Sequence, residues 1–156
     1  MEPIDALNQV AEFHKTFKHP IEEQPIIPSP ERCELRVSLI AEELKELQEA
    51  IRQKDLTEVA DALCDIQYVL SGAVLEFGLG EKFKELFDEV QRSNMSKSCQ
   101  TQEEAEATVQ YYKEKKDTDC YYTQTDGHYL VYRKSDNKTL KSINYSPADL
   151  KKVLGR

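Results

Sequence analysis

The sequence predicts a mainly α-helical protein, a bundle of four to five helices with a small C-terminal β-hairpin appendage. Three observations predict it. Residues 32–53 contain no Gly or Pro and carry apolar residues at helical spacing. Residues 57–77 are apolar almost all round, which is the pattern of a helix central to its domain. Only beyond residue 120 does the texture change to Tyr121-Tyr122-Thr123, Asp126-Gly127 and Tyr129-Leu130-Val131-Tyr132, two short strands closed by a D-G turn.

Taken in order, Pro3 can open a first helix with Ile4, Leu7, Val10, Phe13 and Phe17 on one face. Four of the six prolines fall between Pro20 and Pro30, a non-helical connection. The two long helices follow, joined at Asp55-Leu56-Thr57, with Asp55 or Thr57 as cap. Gly78 and Gly80 end the second. A fourth helix runs from about Glu81 to Arg92, and Ser93–Lys97 reads as a polar break. Residues 101–115 form a charged helix. After the hairpin, a third short strand is expected near Leu140–Ile143. Ser146-Pro147-Ala148-Asp149 opens a last helix, with serine as cap and proline at its first position. The division expected is a helical core, 1–98, and a segment 99–156 that packs on it.

A chain of 156 residues can bury a real core. Its net charge of −8 argues against partners that are nucleic-acid polymers or anionic membranes. The charge is uneven, since residues 128–156 hold seven Lys/Arg against two acids. Cys33, Cys64, Cys99 and Cys120 form no C-x-x-C pair. Cys33 and Cys64 are expected as small core residues, and a reducing, cytoplasmic compartment follows. The first ten residues lack the charge and apolarity of a signal peptide, and no apolar run reaches the ~20 residues of a membrane span.

The chemistry lies in the acids. On a helical wheel Glu43 and Glu46 fall inside the apolar arc of Leu35, Leu39, Leu47 and Ala50, with Glu42 at its edge and Lys45, Gln48 and Arg52 opposite. Glu58, Asp61 and Asp65 share one stripe of the second helix. A buried carboxylate needs a proton, a cation or a basic partner. Several from two helices suit a hard divalent cation, Mg²⁺ or Mn²⁺, which leaves positions free for substrate phosphates. A di-iron bundle would need Glu-x-x-His pairs, and none of His14, His19 and His128 follows a Glu at that spacing. His14 is expected to be structural or at a pocket rim. The competing reading is a non-catalytic helical adaptor whose acidic face meets a basic partner.

Glu42-Glu43-x-x-Glu46 followed by Glu58-x-x-Asp61 resembles the signature of the all-α nucleoside triphosphate pyrophosphohydrolases, and most of all their phosphoribosyl-ATP pyrophosphohydrolase-like, MazG-related branch. Leu39-Ile40-Ala41, Ala62–Val69 and Ser93-Asn94-Met95-Ser96-Lys97 carry the resemblance further, over about residues 4–98, and Lys138–Lys141 and Asn144–Pro147 resume it. The resemblance implies cleavage of a nucleoside triphosphate, a deoxynucleotide being the expected substrate, into monophosphate and pyrophosphate. It implies Glu43, Glu46, Glu58 and Asp61 as ligands of Mg²⁺ and Glu42 as the residue that helps activate water. Asp65 is an alternative ligand or orients one. Asn94, Lys97 and Lys141 are implied as substrate contacts. Residues 99–135 look like an insertion. Members of the family are homodimers or homotetramers.

Overall fold

Both long helices form where their spacing puts them. The computed structural model describes residues 1–156, in the order α1 (Ala6–Phe17), α2 (Pro30–Gln53), α3 (Leu56–Glu76), a 3-10 turn (Gly80–Lys82), α4 (Phe83–Met95), α5 (Gln102–Lys116), β1 (Cys120–Thr125), β2 (His128–Arg133), β3 (Thr139–Leu140) and α6 (Leu150–Leu154). The protein is therefore mainly helical with a small antiparallel sheet. The chain gathers into two compact units, Met1–Phe83 and Lys84–Arg156.

In the first unit α3 packs on both α1 and α2. Pro30 opens α2, and Lys54 ends it in the left-handed region at φ 60°. Asp55 then starts α3 by accepting from the backbone N–H groups of Thr57 and Glu58. A connection this short makes α2 and α3 antiparallel neighbours. The proline-rich segment closes on the end of α3, where Glu22 N–H donates to Leu75 O and Ile26 N–H to Phe77 O. Gly78 turns the chain there at φ 65°, and a Cβ on it would meet Gln24 O at 1.9 Å.

Three expectations change in this unit. First, α1 begins at Ala6 rather than at Pro3. The residues before it have nothing to bury, and Ile4 is exposed. Second, α3 is not enclosed along its length. Ser71, Gly72, Val74, Leu75 and Glu76 are buried, but Leu56 is 80% exposed and Leu63 52%. Two neighbouring helices cover two sides of a helix that is apolar on all of them. Third, Cys64 lies on the surface and Cys33 is half-buried, so neither is a core residue.

In the second unit the sheet order is β1-β2-β3, all antiparallel. Asp126 (φ 41°) and Gly127 (φ 79°) form the two-residue turn between β1 and β2. Cys99 pairs with Tyr129 by backbone hydrogen bonds in both directions, and α5 is capped by Thr101. Cys99, Ala105, Cys120 and Val131 make the core, flanked by Val109, Tyr112 and Leu140.

Here too the boundaries move. The expected break at Ser93–Lys97 holds the last turn of α4, which then tightens through Lys97 N–H to Asn94 O and Ser98 N–H to Met95 O. The strand β3 stops at Leu140 because Ser142 N–H donates to Lys97 O instead of continuing the ladder. The last helix starts at Leu150, with Asp149 rather than Ser146 as its cap. Ser146 N–H is held by Ser96 Oγ.

Candidate active site

Antiparallel α2 and α3 bring the acids of the two helices together. Glu46, Glu49, Glu58 and Asp61 line one cleft of about 230 Å³ with Ala50, Gln53 and Ala62. Glu43 stands half-buried beside it. Its carboxyl is pushed above the ordinary value by burial first, then by the charges of Glu46, Asp65, Glu42 and Asp61. Five carboxylates from two helices therefore act on one another. None of the five, nor Glu58, has an ion-pair partner.

The burial expected of these acids is not what the structure shows. Glu42, Glu46, Glu58 and Asp61 are exposed, and Glu43 and Asp65 are half-buried. The reason is the uncovered N-terminal half of α3. The donor set, all carboxylate oxygen, is the chemistry a hard divalent cation takes. The side chains are not gathered into a ready ligand shell, and no group of three His, Cys, Asp or Glu residues is placed to hold a metal ion.

The second unit gathers the other expected residues. Lys97 Nζ donates to Asn94 Oδ1 at 2.7 Å. Lys141 Nζ lies 4.2 Å from the centre of the Tyr145 ring. Asn94, Lys97 and Lys141 thus fall in one cluster, in which the backbone bond from Ser142 to Lys97 joins two chain segments. Tyr145 completes it. Its phenol is more acidic than usual because Ser93 donates to its oxygen at 3.4 Å and the Lys141 and Lys97 charges favour the phenolate.

The carboxylate that really is buried was not singled out in the sequence. Glu76, 1% exposed, receives hydrogen bonds from Arg36 and Arg32, the latter through Nε at 3.1 Å. Burial would raise its pKa, but the two guanidiniums more than reverse this and hold it below the ordinary value. His14, also buried, sets its Nδ1 2.8 Å from Pro20 O and its Nε2 3.4 Å from Arg36. Its pKa is lowered, mainly by burial. Gly72 makes room, since a Cβ there would meet Arg36 Nη1 at 2.6 Å. A lone acid at the end of the apolar run Gly72–Phe77, with Arg32 and Arg36 one turn apart on the preceding helix, was the available signal.

Residues 10–94 match the family described as phosphoribosyl-ATP pyrophosphohydrolase. The chain belongs to that family. Through it the chain is a member of the all-α nucleoside triphosphate pyrophosphohydrolase superfamily. The match takes in all six acids and ends at Asn94, so Lys97 and Lys141 lie beyond it. The chain is also similar to an uncharacterised protein, L479, of Acanthamoeba polyphaga mimivirus. The two are 33% identical over 92 residues, 56% of this chain and 37% of the viral protein. No single helix is long and apolar enough to cross a membrane.

Proposed function

We propose that the protein hydrolyses a nucleoside triphosphate, a deoxynucleotide by preference, at its α–β bond, in a reaction that depends on Mg²⁺ or Mn²⁺. One observation carries this reading: Glu42, Glu43 and Glu46 of α2 and Asp61 and Asp65 of α3 act on one another, and none of them has an ion-pair partner. Glu43, Glu46, Glu58 and Asp61 are the residues that would hold the metal, with Asp65 as an alternative ligand or a group orienting one. Bound there, the metal supplies charge neutralisation for the phosphoryl oxygens and acidifies water. Glu42, exposed at the edge of the cluster, accepts the proton of the attacking water. Asn94 and Lys97 contact the substrate, and Lys141 binds phosphate oxygens, where its positive charge favours departing pyrophosphate.

A homodimer or homotetramer belongs to the same proposal. Ile51, Leu56, Leu63 and Leu70 of α2 and α3 are at least 41% exposed, an apolar surface that a second copy would cover. The four unpaired cysteines support a cytoplasmic setting.

The test is Glu46→Gln and Glu58→Gln, assayed with a panel of ribo- and deoxynucleoside triphosphates for pyrophosphate release. Both variants should lose metal-dependent turnover and remain folded. Millimolar Mg²⁺ should raise the Tm of the native protein by several degrees and that of the variants by much less. Retained Mg²⁺-dependent turnover in both variants, or orthophosphate and a diphosphate as first products, sinks the reading. An acidic adaptor would show neither turnover nor a shift with Mg²⁺.

A further inference from the structure

Two lysines of the second unit are held without losing their charge. Elsewhere in that unit carboxylates pair with Lys84, Arg92 and Arg133. Lys97 and Lys141 have no ion pair, and neutral groups restrain them instead. Lys97 Nζ donates to the Asn94 side-chain oxygen at 2.7 Å, and Lys141 Nζ stands 4.2 Å from the centre of the Tyr145 ring. A carboxylate partner would cancel the positive charge. An amide oxygen or an aromatic face steadies the ammonium and leaves its charge for an anion.

Tyr145 is itself fixed at both ends. Ser142 N–H donates to Lys97 O at 3.0 Å, and Tyr145 N–H donates to Ser142 O at 3.0 Å, so residues 142–145 turn against the end of α4. One residue further on, Ser146 N–H donates to Ser96 Oγ at 3.0 Å, and Arg92 Nη2 donates to Pro147 O at 3.1 Å. At the far end of the ring, the phenol oxygen accepts from Ser93 Oγ at 3.4 Å, and Ser93 is buried. The ring is half-buried, whereas Lys141 is exposed. An exposed lysine samples many rotamers, and a fixed ring that holds its ammonium removes part of the ordering cost before a ligand arrives.

The two lysines also share this ring. The Tyr145 phenol is made more acidic by the Ser93 hydrogen bond first, then by the charges of Lys141 and Lys97. Both ammonium groups therefore lie near one side chain.

We infer that Tyr145 is a positioning residue, whose ring holds the Lys141 ammonium near Lys97 so that the two meet the pyrophosphate portion of the substrate with their charges uncompensated. Tyr145 acts through Lys141 and does not touch the anion. The inference rests on the hydrolase reading only for naming that anion as part of the substrate.

The test is the affinity of the full chain for inorganic pyrophosphate, read by calorimetric titration in EDTA, which needs no turnover. Lys141→Ala should weaken binding about 10-fold, the loss of one charge-assisted contact. Tyr145→Leu should weaken it about 3- to 5-fold, the cation–π contact of an exposed lysine. Tyr145→Phe keeps the ring and should stay within about 2-fold of native. On the Lys141→Ala background, Tyr145→Leu should cost less than about 1.5-fold more, because the group it positions is gone. Circular dichroism confirms that each variant is folded. A spectroscopic signature needs no Tyr145 variant: in native protein the Lys141 side-chain methylenes, assigned by their absence in Lys141→Ala, should be shifted upfield by the ring. Unshifted methylenes, equal losses from Tyr145→Leu with and without Lys141, Tyr145→Phe as weak as Tyr145→Leu, or no pyrophosphate binding by native protein overturns the inference. A protein that shows the coupling but turns over no triphosphate with Mg²⁺ keeps the role of Tyr145 and refutes the hydrolase. Turnover without the coupling does the reverse.

Discussion

Glu76 and Glu43, the latter beside the α2–α3 cleft, are carboxylates of one small unit, and they are handled in opposite ways. Glu76 is enclosed, and two guanidiniums hold it ionised below its ordinary pKa. Glu43 is half-buried among Glu46, Asp65, Glu42 and Asp61, has no cationic neighbour, and is pushed upward. The first arrangement is electrically complete and needs nothing from solution. The second is incomplete and waits for positive charge. A compensated buried acid belongs to the fold, whereas an uncompensated cluster belongs to a ligand.

The sharpest way to break this contrast is to remove the compensated acid. Glu76→Gln leaves Arg36 buried beside a neutral amide, and should cost about 3–5 kcal/mol of stability in denaturant unfolding. A loss below about 1 kcal/mol would mean that the arginines find other partners and that Glu76 is not structural.

Next comes the basic cluster of the second unit. Lys141→Ala should lower kcat/KM by about 10- to 100-fold, roughly 1.4–2.7 kcal/mol of lost charge-assisted contact. Lys134→Ala, also in the basic segment but beyond β2, should change little. Equal, near-native kinetics in both would return Lys141 to the solvated surface and leave Lys97 as the candidate.

A smaller effect lies in pH. Burial first, then the charges of Arg36 and His19, lower the folded pKa of His14 below 6.5, against the opposing pull of the Pro20 carbonyl and Glu76. The unfolded chain binds that proton more readily. Stability contributed by His14 is present above pH 6.5 and is lost as pH falls through the folded value. Glu76 adds a second loss, present above about pH 4.5 and lost below it. In His14→Gln the first decline should vanish while the second remains, as read from Tm against pH.

The smallest effect has the opposite sign. Glu43 is raised, so the metal-free folded state holds its proton longer than the unfolded chain does, and its contribution improves as pH falls through its range. Glu43→Gln should raise the Tm of metal-free protein slightly at pH 7 and abolish its gain with Mg²⁺. A lower Tm would show that Glu43 is stabilised by something other than a cation.

The helices, the hairpin and the acid pattern were legible because each is written in short-range spacing. Apolar residues every three to four positions set α2 and α3, and Asp126-Gly127 set the turn between β1 and β2. The acids share one side because i, i+3 and i+7 do so on any helix. Element ends were less legible. The exit of α4 and the stop of β3 depend on Ser142 bonding Lys97, residues far apart in the chain.

By itself the sequence determined which residues carry charge and which helical stripe each occupies. Tertiary structure decided which of those charges are buried. The wheel placed Glu43, Glu46 and the α3 acids among apolar neighbours, but burial needs an opposing surface, and α1 and α2 cover α3 mainly over its C-terminal half. That is also where Arg32, Arg36, His14 and Glu76, from three helices, converge. Local periodicity cannot report such a meeting, because it records the face a residue takes and not what that face meets.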